Sequence, residues 1–591
     1  MICRRHCSRS RVPQVDGTAT GTATGTDGTA IDRPVPVVVS VRPACTIAPA
    51  IKPRGRSSMQ IDDAITAALR NVAEHGDTDI FLFPFENLLF RDRLTDAAKL
   101  IKAMHTQPDH WLSVNPPETM RSLTQVGYAG FRWATLIDPF WNAYYLSLVL
   151  SMAGKIESVR VPESEGTVFS YRFQWQDSEA KIFKDSTWVD FRKQCLALSD
   201  AHPVVVQTDI SDFYPRIYHH RIENALQRLP GVGDQPKRVM DLLKHFSQNV
   251  SYGLPVGGPA SRILAELSLD GVDKLLIRRG VRFCRYADDY AIFCADKAEA
   301  YRTLVFLSEK LANEGLVLQK KKTRILSAHE FRETAQLLDP AEAASALATE
   351  EQKLLSISLR FDPYSPTAEE DYKELKGAIQ EIDIIGILGR EIAKTTIDAT
   401  VAKQAVQAIL VLDPAQQLQA VNMLLDADNV MTLAPVFVMV MRVVRDVYAS
   451  SSSDARGRID EALCRLWAEQ SPLLSVEVNL SYYVRAMAGD QTQQKEEILI
   501  KIFDDSANPM IRRLVIMVMA KWSCHYWLSD AKTKYGAMSV FERRAFILAS
   551  YFLGDEGRHW RDHVKSSWSA AEQLIRDWFS GRFQANKSVP L

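Results

Sequence analysis

Cysteine clusters, long apolar runs and an excess of one charge are all missing from this chain. Its eight cysteines (Cys3, Cys7, Cys45, Cys195, Cys284, Cys294, Cys464, Cys524) are scattered and form no CxxC pair. That excludes a zinc finger or ribbon and a disulfide framework, and a reducing compartment is the expectation. The longest apolar stretch of the C-terminal part, Ala434 to Met441, falls far short of the ~18–20 residues that span a bilayer, so no membrane partner is expected. Lys and Arg number 71 against 72 Asp and Glu, for a net charge of −1. No strongly basic coat can cover such a surface, although a local basic groove is compatible with it. The rest is ordinary for a globular chain: 591 residues, 46% hydrophobic and 24% charged. Wholesale disorder, collagen and a polytopic membrane protein are thereby excluded. At ~100–200 residues per domain, about three to five core-burying units fit.

Residues 1–58 differ from the remainder. Gly17 to Ala30 is a Thr/Gly/Ala run followed by Pro- and Val-rich sequence. No amphipathic period is visible there, so a disordered tail is expected. Met59 directly precedes a helical pattern (Ile61, Ala64, Ile65, Ala68, Leu69, Val72) and reads as the true start. A basic arm touching nucleic acid is the alternative for the tail.

Residues 60–160 are expected to be mostly helical, with aromatic anchors at Trp111, Trp133, Phe140, Trp141, Tyr144 and Tyr145. A strand-like stretch follows at 166–175, then a helix at 187–198. The β-branched run from Val204 to Ile210 predicts a buried strand. Helices are expected at 217–229 and 261–277, and strands at 281–286 and 290–294 around a tight turn. A further helix and a short strand at Leu316–Leu318 complete the set. That order implies an α+β sheet with helices on one face. From about residue 340 helical blocks dominate, broken near Asp413-Pro414, Asp426–Asn429, Ser450–Asp454, Ser471-Pro472 and Asn508-Pro509. This is the pattern of a HEAT-like helical solenoid or an irregular bundle. Within it, Phe546–Trp560 reads as a packed helix followed by a Gly-bounded turn.

The chemistry lies in acidic residues. The strand ends in Asp209, and the turn between the two later strands holds Tyr286-Ala287-Asp288-Asp289. Adjacent carboxylates repel one another, and a third brought from a neighbouring strand adds to the cost. Divalent cations relieve it: Mg²⁺ takes one or two carboxylates plus substrate phosphates, and a pair of ions stabilises both oxygens of a phosphoryl transfer.

Four stretches then line up in order: Asp209-Ile210-Ser211-Asp212-Phe213-Tyr214-Pro215, Gly253-Leu254-Pro255-Val256-Gly257-Gly258-Pro259-Ala260-Ser261, Tyr286-Ala287-Asp288-Asp289, and Gly315-Leu316-Val317-Leu318 through Lys322-Thr323. Together they resemble the palm motifs of reverse transcriptases over roughly residues 165–335. The resemblance implies a right-hand polymerase core of fingers and palm at 59–335, followed by an all-α region at 336–591. It implies Asp209, Asp288 and Asp289 as catalytic metal ligands for two Mg²⁺ ions, or Mn²⁺, with the Ile210 carbonyl completing one site. Tyr214 would lie under the sugar and select deoxynucleotides. Gly257 would let the backbone approach a nucleotide or template, Lys322 would neutralise or protonate pyrophosphate, and Arg172 would grip the triphosphate with its fork. Core packing is the competing reading for Tyr214, a solvated basic run for Lys322 and a plain surface arginine for Arg172.

Val256 departs from the family pattern, which often has Gln there. The Ser261–Glu266 continuation and the helical C-terminal region resemble the bacterial abortive-infection and defence-associated branch. No zinc-type HNH or RNase H block is present. The implied function is an RNA-directed DNA polymerase of prokaryotic antiphage defence, cytoplasmic, using dNTPs with RNA or DNA. Its synthesis would be untemplated or protein-primed, with Tyr448, Tyr482, Tyr483, Tyr526, Tyr535 and Tyr551 as candidate primers. A non-coding RNA partner and homo-oligomerisation are compatible with the same resemblance. The alternatives are a retron- or group II intron-like enzyme copying a dedicated RNA, and a catalytically idle RNA-binding scaffold.

Overall fold

Three consecutive valines, Val204–Val206, explain where the central sheet forms. Their branched side chains favour extended backbone, and Val205 and Val206 are fully buried, each contributing roughly 1.5–3 kcal/mol. The structure, a computed structural model, describes residues 59–128, 130–185, 187–334, 349–356, 377, 379, 382–586 and 588–591. The strands are β1 (Thr119–Val126), β2 (Gly130–Ile137), β3 (Phe173–Gln176), β4 (Lys181–Phe183), β5 (Val204–Asp209), β6 (Arg282–Tyr286), β7 (Asp289–Cys294) and β8 (Arg324–Ser327). The central antiparallel sheet has the order β6-β7-β5-β8, and β1-β2 and β3-β4 are separate two-stranded hairpins. Helices Pro139–Val159 and Pro259–Arg278 pack together, and Lys297–Asn313 packs on β5 and β7. The α+β class is that expected.

Two local expectations are corrected. Residues 119–137 form a hairpin inside the stretch assigned to helix. Ser122 and Ala134 face inward while Leu123, Phe131 and Trp133 remain exposed. Met120 and Leu136 share the inward face, so apolar side chains on both faces blur the alternation that marks a strand, and Trp133 is no core anchor. Leu316–Leu318 makes only a single bridge, Leu318 with Ile210, and the fourth palm strand is β8.

In the C-terminal region the helices stack as alternating layers. Phe437–Ser450, Glu477–Met487, Pro509–Lys521, Val540–Ala549 and Ala570–Asn586 pack each on the next, while Ser453–Ala468 and Gln493–Asp505 form part of a second layer. Four of the five breaks expected in the sequence are side-chain caps, the exception being Ser471-Pro472. Asp413, Asp426, Ser452 and Asn508 accept hydrogen bonds from the first free N–H groups of the following helix. The Phe546–Trp560 stretch is a helix end, a short 3₁₀ turn and a new helix opening at Gly554.

The inner layer lies against the N-terminal part. Glu86 pairs with Arg513 at 2.5 Å, Arg544 pairs with Asp138 at 2.6 Å, and Trp578 donates to Asp92 at 2.9 Å. The described residues fall in one compact unit. Among them, no helix is long and apolar enough to cross a membrane, and Cys195, Cys284, Cys294, Cys464 and Cys524 are free and buried. The tail at 1–58 and the boundary placed at 335–336 lie outside the described residues.

Candidate active site

Strand β5 leaves the core at Asp209, and its register with β7 sets Asp209 directly opposite Asp289. The next residue continues the pairing, the Ile210 N–H donating to the Asp288 carbonyl at 3.2 Å. The β6–β7 turn is tight because Ala287 adopts φ 53°. Beneath it, Arg285 donates to the Ala287 carbonyl at 2.7 Å, so the acidic pair rests on a fixed cation. Among the described residues no backbone hydrogen bond engages the Ile210 carbonyl.

The three carboxyls feel one another. Burial, then the charges of Asp209 and Asp289, push the Asp288 carboxyl up to about 7. Burial and Asp209 push Asp289 up to about 6, against a lowering pull from Lys322. The Lys322 ammonium donates to Asp209 Oδ2 at 2.5 Å. Its own pKa is drawn down by burial, but the hydrogen bond and the three aspartate charges outweigh that and hold it above the ordinary lysine value. Asp209 Oδ1 is buried without a hydrogen-bond partner.

An orphaned carboxylate oxygen beside two carboxyls held partly protonated by burial and by mutual repulsion fits a divalent cation, which supplies the charge this arrangement lacks. As the side chains stand, no three acidic, histidine or cysteine groups among the described residues converge tightly enough to hold an ion. Asp209 and Asp288, with Asp289 beside them, are the candidate ligands. One or two carboxylates are what Mg²⁺ usually takes from a protein.

The other expected residues divide. Tyr214 lies on the short helix Phe213–Arg216. Burial, then Tyr171, raise its phenol well above the usual value, and Asp288 lies within electrostatic range. The Leu254 N–H donates to the Tyr214 carbonyl at 2.9 Å, tying the glycine-rich loop to it. Gly257 sits at φ +109°, where a Cβ would come within 2.5 Å of Thr78 Oγ1, so any side chain there would push the loop off Thr78.

Arg172 is a correction. Its guanidinium is buried and donates to the Val168 carbonyl at 3.1 Å and to Glu157 at 3.0 Å, and it does not face the carboxylates. It belongs instead to a buried set in which Arg160, Arg172 and Arg285 balance Glu157, Glu266 and Asp273.

Two residues escaped the sequence reading. Arg262 pairs with Asp79 at 2.6 Å, lies over the Tyr171 ring at 5.2 Å and lines a 460 Å³ cleft with Lys181, Lys184 and Gly257. Its signal was its place in the first turn of a helix directly after the glycine-rich loop. Arg285 was readable only as the residue before Tyr286-Ala287-Asp288-Asp289.

The family model for reverse transcriptase (RNA-dependent DNA polymerase) matches residues 155–358. Similar solved structures include a Candida albicans telomerase in complex with a TWJ fragment of telomeric RNA. It is 9% identical, with 61% of this chain and 70% of that chain covered and a TM-score of 0.27. An apo telomerase from Candida tropicalis is 10% identical, with 68% and 86% covered and a TM-score of 0.25. No curated protein matches the chain. The matched segment contains Asp209, Lys322 and the Asp288–Asp289 turn, and the chain therefore carries a reverse transcriptase domain, that of an RNA-directed DNA polymerase and so of a nucleotidyltransferase.

Proposed function

We propose that the protein builds DNA from deoxynucleoside triphosphates by two-metal phosphoryl transfer at Asp209, Asp288 and Asp289, in prokaryotic antiphage defence. The observation that carries this is the meeting of Asp209 with the Asp288–Asp289 turn under the Lys322 ammonium. Two Mg²⁺ ions, or Mn²⁺, held by those carboxylates and the Ile210 carbonyl would supply the charge that activates the primer hydroxyl and stabilises the leaving oxygen. Lys322 holds a proton at Nζ beside Asp209 and can give it to departing pyrophosphate. Tyr214, on the short helix that follows Asp209, is the residue assigned to exclude a 2′-hydroxyl. Arg262, with Lys181 and Lys184 on the same cleft, supplies the positive charge for a triphosphate that Arg172 does not.

The experiment is incorporation of labelled dNTP by the purified chain on an RNA template with a DNA primer. Asp288→Asn is expected to lose activity by on the order of a hundredfold or more. Equal incorporation by parent and variant would remove the polymerase assignment and leave the scaffold reading.

Exposure narrows the choice of a priming tyrosine. Tyr448, Tyr482 and Tyr483 are buried, whereas Tyr526 is 64% exposed and hydrogen-bonds Glu496 through its hydroxyl. If a protein hydroxyl primes synthesis, a DNA adduct that survives SDS disappears in Tyr526→Phe. A free copy of one small RNA in place of an adduct favours the retron-like alternative.

A further inference from the structure

Four aromatic rings stand in water around one cleft. Phe131 (53% exposed) and Trp133 (48%) project from β2, and Tyr218 (40%) and Tyr252 (51%) come from the loops on either side of the short helix at His219–Gln227 and the helix that follows. All four line a cleft of about 630 Å³. Phe131 and Trp133 share one face of the hairpin by register, opposite Gln125 and Leu123, and Arg121 lies two positions further along that face. Arg121 sits over the Trp133 ring at 5.2 Å and makes no ion pair among the described residues. The acid on the cleft wall, Asp212, is already paired with Arg216 at 3.6 Å.

The tyrosines are held, not loose. Tyr218 and Tyr252 form a β-bridge and an edge-to-face contact at 6.2 Å. Gly315, at φ +79°, leaves room for Tyr218, since a Cβ there would come within 2.1 Å of the ring. The cleft also leads to the chemistry. Asp212 lies three residues beyond Asp209, and Leu254, another lining residue, is bonded to the Tyr214 carbonyl.

Exposed rings cost free energy in water unless something flat covers them. Rings interleaved with unpaired arginine make a stacking platform for unpaired bases, with cations for the backbone. We propose that this cleft seats single-stranded template RNA, its bases stacked on Phe131, Trp133, Tyr218 and Tyr252 and its phosphates drawn to Arg121. The inference rests on the polymerase reading for the identity of the strand, and it places part of the platform in a hairpin that precedes the matched domain.

The test is anisotropy of labelled oligo(U) on the full chain, in EDTA and without nucleotide, so that binding is read apart from catalysis. Trp133→Ala is expected to weaken binding roughly tenfold and Trp133→Ala/Tyr252→Ala roughly a hundredfold, with Trp133→Phe close to the parent. Arg121→Gln should lower the slope of log affinity against log salt by about 0.7. Asp288→Asn should bind oligo(U) as the parent does while losing incorporation, which separates the platform from the active site. The proposal is overturned if the parent does not bind oligo(U), or if the double variant binds it unchanged. A loss confined to oligo(dT), or an equal loss for fully paired RNA, overturns it as well. In each case the incorporation assay still judges the polymerase reading by itself.

Discussion

Asp288 and Asp289 keep protons in the folded chain that an unfolded chain has already lost. Their pKa values stand near 7 and 6, raised by burial and by neighbouring carboxylates from an ordinary value of 3.8. Between about pH 4 and pH 7 the native state therefore binds more protons than the unfolded state, and the sign of the linkage is that stability falls as pH rises through this window. In EDTA the thermal midpoint should be higher at pH 5 than at pH 8, and Asp288→Asn should shrink that difference. Mg²⁺ should raise the midpoint more at pH 8, where the carboxylates are free to bind it. A midpoint with the same pH dependence in parent and variant would show that the acidic turn is not under this tension. The same residues show how readable the site was. An aspartate ending a β-branched run and two acids on a turn are local signals. Arg172 and Arg262 are equivalent as text, and the carboxylate of Glu157, projecting from the helix at 139–159, together with the Val168 carbonyl engages the first of them in the interior.

The elements around the turn are held by charges that no single segment contains. Arg285 on β6 reaches Asp273 at 2.6 Å and Glu266 at 3.0 Å, both on the helix Pro259–Arg278, and Ser170 donates to the same Glu266 at 2.6 Å. All of these groups are buried. Arg285→Met should destabilise the protein by about 3–5 kcal/mol in urea unfolding, because Asp273 loses its cation and Glu266 one of its two in a low-dielectric interior. Arg285→Lys should recover little of it, since an ammonium cannot reproduce the fork that serves two acids and the Ala287 carbonyl together. Full recovery by lysine would mean that charge alone, not geometry, supports the turn. The hairpin at 119–137 was hidden for the opposite reason. It carries apolar side chains on both faces, Met120 and Leu136 buried and Leu123, Phe131 and Trp133 in water, so no clean alternation marked a strand.

Across the whole molecule, the helical layers and the N-terminal part share buried charge. Glu86, completely buried, meets Arg513 at 2.5 Å and Arg544 at 3.5 Å, and Arg544 continues to Asp138 at 2.6 Å. Glu86→Ala should cost about 3–5 kcal/mol by leaving two arginines undercompensated in the interior. Calorimetry of the parent should give one cooperative transition, because few ways exist to separate the layers without exposing those charges. Two well-separated transitions, with Glu86→Ala affecting only one, would show instead that the regions fold independently.

The central strands β5, β6 and β7, most helix caps, the order of the acidic motifs and hence the class of reaction follow from neighbours in the chain: branched residues stiffen a strand, and Asp, Ser or Asn before a helix satisfies its first free N–H groups. Which arginine meets substrate, which rings remain in solvent and how two regions lock together depend on residues up to hundreds of positions apart. Those questions were settled by packing, where each buried charge must find an opposite one and each face is either covered or left wet.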